Sequence, residues 1–140
     1  MKGIRMIEEM ASYFSQCPEV AAVYLFGSYT GSTAGHLSDV DIAVLLARSD
    51  ENLANRRRFK YITDLGKILR KDIHPVIMNL AGEEVLRQIF SKGKPIQVND
   101  AKALSHFKTY TFVKMAEFGY YRTSMQRGVI RKLKEEVGRG

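Results

Sequence analysis

Apolar residues recur at helical spacing through the opening segment, with Ile4, Ile7, Met10 or Ala11, and Phe14 on one side and Glu8 and Glu9 on the other. The spacing predicts an amphipathic helix that ends before Pro18. From there the period changes. Val20 to Phe26 is an unbroken apolar run rich in β-branched and aromatic residues, which predicts a buried strand. Gly, Ser and Thr then dominate from Gly27 to Ser38, a loop with room for one helical turn. Asp39 to Leu46 predicts a second strand, apolar except for acids at its first and third positions.

Ser49 or Asp50 can cap the next helix, which runs to about Arg70 with Leu53, Ile62, Leu65, Ile68 and Leu69 on its inner side. Asp72 to Met78 predicts a third strand, and Pro75 within it argues for an edge position or a bulge. A short helix follows from Glu83 to Phe90, ended by Gly93, and Pro95 to Val98 adds a brief fourth strand. Asp100 caps a final helix rich in aromatics (Phe107, Tyr110, Phe112, Phe118, Tyr120, Tyr121), and a basic segment closes the chain. The element order predicts an α+β fold, a mixed β-sheet with helices packed against it plus a C-terminal helix. The expected organisation is a domain over residues 1–100 and a helical, basic extension of it over 101–140.

The 140 residues match one domain, and 45% hydrophobic against 26% charged residues is enough apolar material for a core. No apolar run approaches the ~20 residues needed to span a bilayer, and glutamates stand where a signal peptide would need its apolar stretch. Cys17 is the single cysteine and has no internal disulfide partner, which fits a reducing cytosol. A cytoplasmic protein without membrane attachment is expected. The net charge of +7 is uneven: from residue 101 onward nine Lys and Arg face three Glu. Such a tail suits nucleic acid, an acidic partner or a nucleotide's phosphates, or is an ordinary solvated helix face.

The chemistry concentrates between Val20 and Leu46. Strand side chains alternate, so Asp39 and Asp41 project to one side, about 6–7 Å apart. Two carboxylates so close oppose each other's ionisation unless a cation lies between them. Mg²⁺ suits the pair, because it accepts one or two carboxylates and completes its shell with water and substrate phosphates. Gly27-Ser28 directly follows the first strand. Glycine there admits a phosphate close to backbone N–H groups and serine adds a hydroxyl donor, while Gly31 and Gly35 keep the loop slim. Alone, either element is common. Together, acids beside a phosphate cradle make a nucleoside triphosphate site, with attack on the α-phosphorus and pyrophosphate leaving.

Gly27-Ser28, ten intervening residues, then Asp39-Val40-Asp41 with Ser38 before the first acid resembles the signature of the DNA polymerase β-like nucleotidyltransferase superfamily. The small size is similar to its minimal nucleotidyltransferases. The resemblance is clear over about residues 20 to 80. It implies a polymerase β-like nucleotidyltransferase fold and a site for two Mg²⁺ ions held by three carboxylates, with ATP as substrate. Asp39 and Asp41 match the first two acids, and Gly27, Ser28 and Ser38 match the nucleotide-binding positions. The third acid belongs on a neighbouring strand, where KDIHPVIM offers Asp72, with His74 as the substitute if the alignment shifts. Tyr29 departs from the pattern, since many relatives carry a basic residue there. Arg56, Arg57, Arg58 and Lys60 are candidates to meet the phosphate charge instead.

The resemblance also implies a role. Minimal nucleotidyltransferases are often paired with a helical HEPN partner in toxin–antitoxin modules, where the transferase modifies and silences an RNase toxin. The expected function is Mg²⁺-dependent transfer of a nucleoside monophosphate, AMP from ATP, to a hydroxyl of such a partner. The alternative is a catalytically weak nucleotide-binding or scaffold protein of the same fold, and a nucleic-acid binder ranks after both. The aromatic C-terminal helix is either core or part of a docking surface.

Overall fold

The computed structural model describes residues 2–27, 39–48 and 50–139 of the chain. Helix α1 (Lys2–Ser15) leads into strand β1 (Val20–Phe26), then β2 (Val40–Leu46), helix α2 (Glu51–Leu69), strand β3 (Ile73–Ile77), a 3-10 turn (Met78–Leu80), helix α3 (Glu83–Lys92), strand β4 (Lys94–Val98) and helix α4 (Ala101–Arg139). The strands form one sheet in the order β3-β2-β1-β4. β1 lies antiparallel to both β2 and β4, while β2 and β3 run parallel through the α2 crossover. This is the mixed α+β architecture that the apolar pattern predicts. The chain divides into two compact units, Met1–His106 and Phe107–Gly140.

One face of the sheet is sealed by α1 and α2. Val23, Leu25, Val40, Ile42, Val44, Leu46, Ile73 and Ile77 meet Met6, Met10 and Phe14 of α1 and Ala54, Tyr61 and Leu65 of α2. Aromatic rings organise the centre: Phe14 lies edge-on to Tyr13 and Tyr61, with centroids 5.0 and 5.2 Å away. Dense packing of this kind makes volume changes there expensive. By alternation the opposite face carries Tyr24 and Phe26 of β1, Asp41 of β2 and His74 of β3. Helix α3 touches that face through Phe90, edge-on to Tyr24 at 5.8 Å.

The helix termini follow the sequence. The Asp50 carboxylate accepts from the N–H groups of Asn52 and Leu53, capping α2. Ser49, the other candidate cap, lies outside the described residues. Asp100 accepts from Ala103 N–H at the start of α4, and Gly93 closes α3 by donating to the Ile89 carbonyl. Pro75 does stand on an edge strand. Its carbonyl accepts from Arg58 Nε at 3.0 Å, so that side of β3 is turned toward α2 rather than toward a ladder neighbour.

Helix faces differ from the pattern in three places. Ile4 is exposed because it sits about 120° round α1 from Met10, away from the row Met6, Met10, Phe14 that docks. In α2, Ile62 and Ile68 are exposed as well, and Tyr61 is fully buried. The helix seats on the row Tyr61, Leu65, Leu69, spaced by four. Positions three residues from Leu65 are thereby turned about 60° toward water. In the second unit Tyr110, Phe112, Val113 and Phe118 are exposed, and Lys114 Nζ lies 5.0 Å from the Tyr110 ring centroid. The side chains of Tyr120 and Tyr121 lie outside those described. No helix among the described residues is long and apolar enough to cross a membrane.

Candidate active site

The end of β1 and the starts of β2 and β3 meet at one edge of the sheet. Asp41 is the cross-strand partner of Phe26 on one side and of His74 on the other. Asp39 stands one residue before β2. The start of β2 is tied to β3 by Val40 N–H donating to the Asp72 carbonyl at 2.9 Å. The apolar residues of β2 fix this geometry. Val40, Ile42 and Val44 must enter the core, so Asp41 between them faces the other way.

Gly27 abuts Asp41 directly. It has φ +79°, and a Cβ built on it would fall 2.4 Å from Asp41 Oδ2. Its positive φ disfavours any larger residue, and a side chain there would push the Asp41 carboxylate aside. The sequence suggests this glycine for phosphate approach, but its packing against the acid is visible only in three dimensions.

Asp41 is partly buried, and that burial raises its pKa above the ordinary carboxylate value. His74 pulls the other way by favouring the charged form, and Asp39 adds a smaller like-charge push upward. Asp39 is about half exposed, and His74 Nε2 lies 3.0 Å from its Oδ2, an N–H donating to a carboxylate. At this exposure the pair orients the side chains more than it stabilises the fold.

Thus Asp39, Asp41, His74 and Gly27 come together. Asp72 is exposed and contributes its carbonyl to the β2–β3 junction. Among the described residues, no three His, Cys, Asp or Glu side chains are close enough to share a metal ion. Ser28, Tyr29, Gly31, Gly35 and Ser38 lie outside the described residues. Two hard carboxylates nevertheless suit Mg²⁺, which takes few protein ligands when phosphates supply the rest.

Of the arginine triplet, Arg57 stands elsewhere. Helix α2 starts beyond the far end of β2, where Ala47 N–H donates to the Glu19 carbonyl. Arg57 lies 3.9 Å from the Glu19 carboxylate at that end, about 20 Å along the strand from Asp41. Arg58 is engaged by Pro75. Arg57 is thus far from Asp41, whereas Arg58 reaches the carbonyl of the residue next to His74. Also hidden from the sequence was Asn99, whose amide donates to the carbonyls of Phe14, Cys17 and Val20 and pins the α1–β1 turn to the end of β4.

The chain matches the family model "Polymerase beta, Nucleotidyltransferase" over residues 8–102. It is 34% identical over 79 residues to the protein adenylyltransferase MntA of Shewanella oneidensis, covering 56% of this chain and 55% of that protein. The match thus spans about half the length of that relative. A crystal structure of a toxin–antitoxin with AMP-PNP contains a chain of the same fold, with TM-score 0.63, 26% identity, and 92% and 96% of the two chains covered. The MNT antitoxin complexed with a tri-AMPylated HEPN toxin of Shewanella oneidensis shares the fold at TM-score 0.59 and 22% identity, with 95% and 98% covered. With two thirds of its length inside the family model, and with its acids and glycine at the sheet edge, the chain belongs to the polymerase β nucleotidyltransferase family, and its relatives are the minimal, MntA-like members.

Proposed function

We propose that this chain transfers AMP from ATP to a hydroxyl group of a HEPN-type partner protein, as the antitoxin of a toxin–antitoxin pair. One observation carries the reading: Asp39 and Asp41 stand at the sheet edge where β1 ends, with the Asp41 carboxylate packed against a positive-φ glycine. That arrangement sets the acids beside Gly27 and supports a triphosphate there. Asp39 and Asp41 would hold Mg²⁺, which supplies charge neutralisation at the phosphates when bound. Gly27 leaves the room that the Asp41 carboxylate occupies. Gly27, Ser28 and Ser38 are the proposed nucleotide-binding positions, and His74, rather than Asp72, takes the third place on the neighbouring strand.

The reaction forms a P–O bond between the acceptor hydroxyl and the α-phosphorus, breaks the bond to the β-phosphate bridge, and releases pyrophosphate. The protein's share is positioning and charge, since this chemistry asks for little covalent participation. The partner finds support in the named relatives, an adenylyltransferase and an antitoxin bound to an AMPylated HEPN toxin. The exposed Tyr110, Phe112, Val113 and Phe118 offer apolar surface for a helical protein to cover.

The test is co-expression with a HEPN-type protein from the same source, followed by intact-mass measurement. Increments of one or more AMP on the partner are expected with the wild type and none with Asp41→Asn. An unmodified partner in the presence of ATP and Mg²⁺ overturns the assignment. A second reading, a nucleotide-binding scaffold with weak catalysis, is favoured by the imidazole in the third place. Calorimetry showing Mg²⁺-dependent ATP binding without pyrophosphate release in the presence of the partner would select it.

A further inference from the structure

We infer that His74 makes this a two-carboxylate site, one that takes up a divalent cation only together with the nucleotide's phosphates, with His74 positioning Asp39 rather than serving as a third ligand. The inference rests on the transferase reading above and specifies how that site is loaded. His74 is the register partner of Asp41 on the neighbouring strand, so the place beside the acid is filled by a side chain that brings no negative charge. Its Nε2 reaches Asp39 Oδ2 at 3.0 Å, which occupies one of the four carboxylate oxygens of the pair. Asp72 does not make up the deficit, because among the described residues no three such donors converge.

The consequence follows from the coordination chemistry of small hard cations. Mg²⁺ gives up its water reluctantly and is usually held by one or two carboxylates together with substrate phosphate oxygens. With two carboxylates, one already hydrogen-bonded, the free protein offers too little charge to retain the ion. Cation and triphosphate then bind with strong mutual coupling, each raising the affinity for the other by the same factor. His74 meanwhile fixes the Asp39 carboxylate before either arrives, as outer hydrogen-bond partners do for metal ligands.

The experiment is a Mn²⁺ titration of the full chain followed by electron paramagnetic resonance, without nucleotide and then with a non-hydrolysable ATP analogue. The wild type without nucleotide is expected to bind weakly, with a dissociation constant near or above about 1 mM, as for a site with few protein ligands. His74→Asp adds a third carboxylate and is expected to tighten nucleotide-free binding at least about tenfold. His74→Gln keeps an N–H donor near the Nε2 position but adds no charge, and is expected to match the wild type. Micromolar binding by the nucleotide-free wild type overturns the inference whatever the variants do. So does equal tightening by His74→Gln and His74→Asp. If Asp41→Asn leaves protein-bound Mn²⁺ intact in the presence of the analogue, the transferase reading itself falls, a result separable from any outcome at position 74.

Discussion

On the face of the sheet covered by α1 and α2, Val23, Leu25, Ile42 and Val44 are closed from solvent and interlock with Met10, Phe14, Tyr61 and Leu65. On the other face the same strands bury Tyr24, Ala43 and Leu45, but at its end Asp41 is only partly buried, against Gly27, and His74 is exposed. β2 serves both, one residue to each side in turn. A slip of one residue would send Asp41 into the core and Ile42 to the site, so the closed face holds the open face in register. The comparison shows how an acid pair survives its own repulsion. The core supplies the stability, and the open face spends a little of it on charge.

Asp41→Asn strikes only the open face. Under the proposed function, AMP transfer to a HEPN-type partner is expected to fall by about 10³-fold or more, roughly 4 kcal/mol of transition-state stabilisation, while the far-UV spectrum is unchanged. A variant with wild-type rates would remove Asp41 from the mechanism. Phe14→Ala strikes only the closed face. It removes a fully buried ring and is expected to cost about 3–5 kcal/mol in urea unfolding. A loss below about 1 kcal/mol would show that the α1 contact is looser than the packing indicates.

Gly27→Ala tests the seam between the two. The positive φ and the blocked Cβ position predict a loss of about 1–3 kcal/mol, together with lowered transfer as Asp41 is displaced. Stability and rate both unchanged would mean that the turn accepts a side chain after all. Tyr61→Phe acts in the opposite direction. Among the described residues the Tyr61 hydroxyl is buried with no hydrogen-bond partner, so deleting it is expected to stabilise by about 1 kcal/mol. A lower melting temperature would show that the hydroxyl does find a partner.

The smallest effect is in pH. Burial, then Asp39, raises the Asp41 pKa in the fold, against the favourable pull of His74, so the folded chain holds that proton more tightly than the unfolded one. The contribution of Asp41 to stability is therefore full at pH below the ordinary carboxylate range and is lost as pH rises through the raised value. Asp41→Asn should melt level with the wild type near pH 3–4 and higher by up to about 3 °C near pH 7. An advantage that instead shrinks with rising pH would contradict the raised pKa.

Much of this was legible in the residues. The strand Val20–Phe26 was bounded correctly, and Asp50, Gly93 and Asp100 end or start helices through groups within four residues of themselves. Pro75 lies on an edge strand because its ring removes a ladder donor wherever it stands. The inner face of α2 was less legible, since Ile62, Ile68 and Tyr61 are all compatible with an apolar stripe at helical spacing. Choosing Tyr61 depended on the angle at which α2 crosses the sheet, which Phe14 and Leu65 settle from distant parts of the chain.

At the site the same division holds. That Asp39 and Asp41 face one way follows from the two-residue period of a strand, and that Gly27 opens the loop follows from chain order. Pairing β2 with β3 in parallel, through a crossover of more than twenty residues, brought His74 to Asp41 and Asp39 and carried Arg57 to the opposite end. Local chemistry, periods and caps are written in neighbouring residues, and the sequence by itself determined those. Register, helix docking and the company each charge keeps depend on contacts between segments far apart in the chain, whose burial is won only when all of them assemble, and only the tertiary structure decided those.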